Sequence, residues 1–195
     1  MPSSWEFQLK MAAYADAWSE SSLERRATAL RALGRLPSGP RGRGAPDING
    51  INGANLIIAA SVGRSYDQEE LGQTITTWES MVAQDDMSDA PLLLGKRKGT
   101  PTFGEVLARC LEDAENAVKR KTLTICRTWP EAELRYVNEA GEARAIKFEL
   151  SDEKDRAFWR RAVREDITFG PGVLHQWAIV LRYGRARAEF LPDDV

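Results

Sequence analysis

The stretch SSLERRATALRALGRLPSGPRGRGAP, Ser21 to Pro46, concentrates positive charge in a chain that is slightly acidic overall. It holds one acid, Glu24, against six arginines: Arg25, Arg26, Arg31, Arg35, Arg41 and Arg43. The stretch therefore carries +5, whereas the 195 residues together carry −2, which leaves −7 on the remainder. So uneven a distribution indicates an anionic partner for this segment and argues against a chain that coats nucleic acid indiscriminately.

The stretch also shows the pattern of a helix followed by a loop. Apolar residues recur at intervals of three and four at Leu23, Ala27, Leu30 and Leu33, which predicts an amphipathic helix over about Ser22 to Leu36 with its arginines on the opposite surface. Gly34 and Pro37 end this helix. From Pro37 to Pro46 the prolines and glycines exclude regular structure and predict a compact basic loop.

A first helix precedes this one. Its apolar residues fall at helical spacing between Ser4 and Trp18, and the break at Ser19 to Ser22 separates the two helices. Two helices joined by a tight break, the second cationic and followed by a Gly/Arg loop, are typical of a winged helix-turn-helix. A helix fits the major groove of a duplex, where arginine bonds a guanine edge or a phosphate.

Individual side chains have assignable roles in such an arrangement. Ser21 and Ser22 would lie near the DNA backbone at the start of the helix, and Arg41 and Arg43 would approach a phosphate or the minor groove. The alternative is that the helical arginines form a solvated face, or that Arg31 and Arg35 pair with acids of the other domain.

Caps and the spacing of apolar residues predict the other helices between residues 47 and 120. We expect a third helix from a cap at Asp47 to about Val62, and a fourth that begins near Asp67 and keeps Val82 on its buried face. The segment 85–101 has the composition of a linker. A capping box of Thr102 and Glu105 then opens a helix to about Arg120.

The last third changes to a period of two residues. The strands are predicted in TLTICRTW, AELRYVN, ARAIKFEL and VREDITF, with a turn at Gly141, a short helix in SDEKDRAFWRRA and a final helix after Pro171. The fold class is therefore α+β, with an N-terminal helical domain of winged helix-turn-helix type followed by a small antiparallel sheet packed with helices. The expected domains are 1–84, which binds DNA, and 102–195, which serves dimerisation or an effector, joined by the linker 85–101.

Other chemistry finds little support in the sequence. Cys110 and Cys126 lack the paired spacing of a zinc site, and His175 is the only histidine, so we expect no metal, no cofactor and no catalytic residues. Both cysteines are expected to be reduced. No apolar run reaches membrane-spanning length and no signal sequence is visible, which predicts a cytoplasmic protein without membrane association.

The stretch LERRATALRALGRLPSGPRGRGAPDINGINGANLIIAA resembles the N-terminal winged helix-turn-helix region of regulators from phages, prophages and gene transfer agents of alphaproteobacteria. It is more distantly similar to the start of MerR-type regulators, whose long coiled-coil helix and metal-binding cysteines it lacks. The resemblance covers about Leu9 to Val62. It implies that Arg25, Arg26 and Arg31 lie on the recognition helix and that Arg41 and Arg43 lie in the wing.

The sequence thus predicts a non-enzymatic, sequence-specific regulator that binds double-stranded DNA as a homodimer, because one recognition helix reads too few base pairs for a genome. Two alternatives remain open. One is a protein-interaction module that binds a host protein, and the other is a DNA-binding phage packaging subunit, for which a ring of many subunits is expected.

Overall fold

The computed structural model describes residues 4–14, 18–39, 46–63, 65–84, 100–114, 120–138, 140–159 and 163–183. The seven helices within these ranges are α1 (Ser4–Tyr14), α2 (Glu20–Ala32), α3 (Gly50–Val62), α4 (Gln68–Glu79), α5 (Phe103–Glu112), α6 (Glu153–Trp159) and α7 (Pro171–Tyr183). The strands are β1 (Val82–Ala83), β2 (Arg120–Cys126), β3 (Glu131–Val137), β4 (Ala143–Glu149) and β5 (Asp166–Phe169). The predicted α+β class is confirmed, whereas the winged helix-turn-helix stays a prediction.

The five strands form one antiparallel sheet in the order β1-β4-β3-β2-β5. The period of two is confirmed, because alternate side chains such as Leu123 and Leu134, which face each other across β2 and β3, are buried. Gly141 lies in the turn between β3 and β4 with a φ of 83°, a conformation that glycine adopts without steric cost.

The strand β1 corrects the predicted fourth helix. That helix was expected to continue through Val82, but α4 ends at Glu79 and Val82 pairs with Glu149 of β4. A two-residue strand leaves no periodic signal in the sequence. Its backbone groups are satisfied by a partner that lies more than sixty residues away along the chain, which local periodicity does not reveal.

Polar side chains define where the helices begin. Asn49, not the expected Asp47, caps α3, and its side chain and that of Asn52 bond each other's backbone N–H groups. The capping box of Thr102 and Glu105 at the start of α5 is confirmed. That helix is shorter than predicted, however, and Arg120 begins β2.

Helix α3 is the central element of the helical layer. Its residues from 53 to 62 are all buried, because α2, α4 and α5 pack around it. Close contact with α5 requires glycine at position 50, where a Cβ atom would lie 2.4 Å from the backbone oxygen of Ala108. The Gly50 N–H also donates to Glu112 at 3.0 Å, which ties the first turn of α3 to the end of α5.

Residues of the two predicted domains share a single hydrophobic core. Trp18, which follows α1 and was expected to be its last residue, stacks on Trp177 of α7 with 5.8 Å between ring centroids. The indole N–H of Trp78 in α4 donates to the backbone oxygen of Cys126 in β2 at 2.9 Å. The predicted linker lies outside the described residues except for positions 100 and 101.

Candidate nucleic-acid interface

The exposed side of α2 is a narrow stripe of small and polar side chains. Ser21, Arg25, Thr28 and Ala32 are all exposed and follow one another at intervals of four, three and four residues. This spacing places them on one face of the helix. Glu20, the other exposed residue of α2, lies about a quarter of a turn or more from that stripe. Arg25 is thus the one charged side chain on what we call the α2 stripe, defined by these four residues.

Arg26 is buried, which corrects the expectation that the helical arginines lie opposite the apolar face. It is 8% exposed, and its guanidinium donates to the backbone oxygens of Ala59 at 2.9 Å and Gly63 at 2.7 Å. Both carbonyls lie at the C-terminal end of α3, where the helix dipole places partial negative charge, and the Ala59 oxygen also accepts the backbone N–H of Gly63. Arg26 therefore caps α3, and its donors are directed into the protein.

The next two arginines are engaged in ion pairs within the helical layer. Arg31 contacts Glu24 of the same helix at 3.4 Å, and Arg35 contacts Glu79 at the end of α4 at 2.5 Å. Arg35 also donates to the Thr76 hydroxyl at 2.7 Å. Both of these acids, Glu24 and Glu79, lie within 1–84 rather than in the other domain.

Tyr66 is a member of this surface that sequence reasoning missed. It lies between α3 and α4, with its hydroxyl 3.5 Å from that of Ser22 and 3.4 Å from Nη1 of Arg26. The guanidinium carbons of Arg25 and Arg26 are 5.7 Å and 5.0 Å from the ring centroid, within the range of cation–π attraction. The hydrogen bond from Ser22 and the charge of Arg26 hold the pKa of Tyr66 below its usual value of 10.0, with a smaller contribution from Arg25 and against the effect of burial.

The two serines at the start of α2 have different surroundings. Ser21 is exposed on the stripe, and its hydroxyl lies 3.2 Å from that of Ser19, the cap of α2. Ser22 is half-buried and accepts a hydrogen bond from Arg26, so it faces the protein and Tyr66 rather than the open surface. The predicted wing residues Arg41 and Arg43 lie outside the described residues.

The described residues also bear on metal binding, on the state of the cysteines and on membrane spanning. Within it, no three His, Cys, Asp or Glu side chains converge in the manner of a metal site. Cys110 and Cys126 are both buried, and neither forms a disulfide. None of the helices in the described ranges has the length and apolar character needed to cross a bilayer.

The comparisons with known proteins leave the chain without an assigned relative. No protein family, no curated protein and no solved structure matches it.

Proposed function

We propose that this chain binds double-stranded DNA through the α2 stripe and the adjacent Gly/Arg loop, and that it acts as a sequence-specific transcription regulator. The observation that carries the proposal is the composition of the stripe, in which one arginine and two hydroxyls accompany a small apolar residue. Short side chains allow close approach to a groove, while Arg25 supplies a donor for a base edge or a phosphate.

The acid next to Arg25 in the sequence does not oppose such an approach. Glu24 is half-buried and is paired with Arg31, so its charge is balanced within the helix. The predicted Gly/Arg loop, residues 37–46, comes after α2 in the sequence and contains Arg41 and Arg43. With Arg26, Arg31 and Arg35 engaged in internal contacts, the cations proposed to meet DNA are Arg25, Arg41 and Arg43.

This set of three arginines fixes the expected salt dependence. We propose a homodimer, because a single stripe contacts too few base pairs to define a genomic site. Six phosphate contacts per dimer predict a slope of about −5 in a plot of log affinity against log salt concentration. A monomer with three contacts predicts roughly half of that slope.

The experiment is fluorescence anisotropy with duplex fragments selected from the source genome, repeated with a random-sequence duplex of equal length. If the Arg25 guanidinium contacts a base edge, Arg25→Ala should weaken binding to the selected duplex by about 1 to 3 kcal/mol and reduce the difference between the two duplexes. If it contacts a phosphate, the variant should weaken binding to both duplexes similarly and lower the salt slope. Arg135→Ala is the matched control, since Arg135 is an exposed arginine of β3 whose contact is with Glu133. Equal affinity of the wild type, Arg25→Ala and the combined Arg25, Arg41 and Arg43 alanine variant would contradict the proposal.

A protein-interaction module predicts a different outcome of the same measurements. It would show no retention on duplex at low salt and a stable complex with a protein partner. A packaging subunit would bind DNA but would form a ring of many copies, which a mass measurement separates from a dimer.

A further inference from the structure

Tyr66 lies beside the α2 stripe and is partly exposed. The residue is 43% exposed, although its ring packs against the guanidinium groups of Arg25 and Arg26. Its hydroxyl has only long contacts, at 3.4 Å to Arg26 and 3.5 Å to Ser22. Hydrogen bonds of this length are weak, so they do not hold the phenolic hydrogen in one orientation.

The donors around this hydroxyl leave one hydrogen available to a ligand. The Arg26 guanidinium donates to the hydroxyl oxygens of both Ser22 and Tyr66, so both oxygens accept a hydrogen bond from it. Each hydroxyl carries one hydrogen, and only one of the two hydrogens can lie between the two oxygens. When Ser22 donates to Tyr66, the phenolic hydrogen is free to point outward. A phenol that accepts hydrogen bonds from a cation and a hydroxyl is polarised and becomes a stronger donor.

Arg25 supplies the charge at the same place. The Arg25 guanidinium packs on the ring of Tyr66, and none of the described residues accepts a hydrogen bond from it. We propose that Tyr66 and Arg25 bind one backbone phosphate of the DNA, with the phenolic hydroxyl as hydrogen-bond donor and the guanidinium as charge partner. This inference rests on the proposed function and adds to it a residue from outside the helix.

The position of Tyr66 suits a phosphate rather than a base. The ring lies on the flank of α2 near Ser22 and Arg26, which point away from the stripe toward α3. The flanks of a helix in the major groove face the two sugar–phosphate backbones, where hydroxyls and arginines make most contacts. Tyr66 would therefore fix the register of α2 and contribute similarly to binding of different sequences.

The test combines Tyr66→Phe, Arg25→Ala and the double variant with duplex binding at several salt concentrations. Phe keeps the ring and its packing on the guanidinium groups while removing the hydroxyl. Tyr66→Phe should weaken binding about tenfold, equally for selected and random duplexes, without a change in salt slope, because no charge is removed. Arg25→Ala should lower the slope by roughly one per subunit. The two effects should be less than additive if both groups hold the same phosphate.

The control for loss of a hydroxyl is Thr168→Val on β5, which should bind like the wild type. Tyr66→Phe binding as tightly as the wild type, or strictly additive effects of the two substitutions, would overturn the shared phosphate site. Absence of duplex binding by the wild-type protein would instead overturn the proposed function itself, so the two failures are distinguishable.

A second test is the pH dependence of duplex binding by the wild type and by Tyr66→Phe. Tyr66 faces Arg25 and Arg26 of α2, and the adjacent Asp67 caps α4 by accepting from Glu70. Ionisation of the phenol removes its donor and adds a negative charge next to the phosphate. Wild-type affinity should fall as the pH approaches 10 from below, and Tyr66→Phe should lose this step. The same pH profile in both proteins would contradict the inference.

Discussion

Replacing Arg26 with methionine tests whether this arginine is a structural cap or a DNA contact. Methionine keeps an unbranched apolar stem but has no donor. The substitution deletes the hydrogen bonds to the oxygens of Ala59 and Gly63, at 2.9 Å and 2.7 Å. The Ala59 oxygen keeps its bond from the N–H of Gly63, whereas the Gly63 oxygen loses the donor from Arg26. Hydrogen bonds from a charged donor contribute about 1.5 to 3 kcal/mol each, and interaction with the helix dipole adds up to about 2 kcal/mol.

We expect Arg26→Met to lower the free energy of unfolding by about 3 to 5 kcal/mol, after allowance for non-additivity and for the apolar stem that remains. The assay is urea denaturation followed by tryptophan fluorescence, since Trp18, Trp78 and Trp177 are all buried in the common core. Arg25→Met is the matched control, because it changes the adjacent, exposed arginine and should shift the free energy of unfolding by less than about 0.5 kcal/mol.

Duplex binding of the same pair should show the reverse order. Arg25→Met should lose affinity and salt slope while remaining stable. Arg26→Met, measured at a temperature where it is folded, should keep the wild-type salt slope and lose no more affinity than Tyr66→Phe, because Arg26 acts on the phosphate only through the Tyr66 hydroxyl. A loss of stability under about 1 kcal/mol for Arg26→Met would refute its role as a cap. A smaller salt slope for that variant than for the wild type would indicate that Arg26 contacts a phosphate of the DNA.

Three further outcomes are expected. Gly50→Ala should destabilise the protein by about 1 to 3 kcal/mol in the same denaturation assay, because its Cβ would lie 2.4 Å from the oxygen of Ala108; stability equal to the wild type would contradict the close packing of α3 on α5. Trp78→Phe should lower the free energy of unfolding by about 1 to 3 kcal/mol, because the carbonyl of Cys126 loses the indole N–H that it accepts. Two separate unfolding transitions in the wild type would show that the two predicted domains do not share one cooperative core. In an absorbance titration, subtraction of Tyr66→Phe from the wild type should reveal a phenol that ionises below pH 10.0. Because the pKa of Tyr66 is lower in the folded state, ionisation of this phenol stabilises the folded state as the pH rises through that pKa toward 10.0. It contributes nothing at neutral pH, where the phenol is protonated in both the folded and the unfolded state.

Much of the architecture was accessible from local patterns. The end of α2 follows from Gly34, which has a φ of 70° and allows the N–H of Arg35 to bond the oxygen of Leu30. The cap of α5 and the alternation in β2, β3 and β4 likewise depend on residues close together in sequence. The strand β1 could not be found in this way, because its pairing depends on β4.

The candidate surface shows the same division. A helical period of 3.6 places Arg26 with Leu23, Ala27 and Leu30 on the buried face, so its burial was readable from its spacing of three and four to the two leucines. The prediction that the arginines of this helix lie opposite its apolar face did not take account of this spacing. Tyr66 offered no comparable signal, because it reaches Ser22 and Arg26 from a loop about forty residues away.

The sequence by itself determined the class of the fold, because helical and strand periods, caps and turn glycines act over a few residues and are legible in order along the chain. It also determined that the positive charge is concentrated between Ser21 and Pro46. Only the tertiary structure decided which of those charges are available. Whether a guanidinium meets solvent, a carboxylate or the end of another helix depends on the elements packed around it, so that Arg25 remains on the surface while Arg26, one residue further, completes the end of α3.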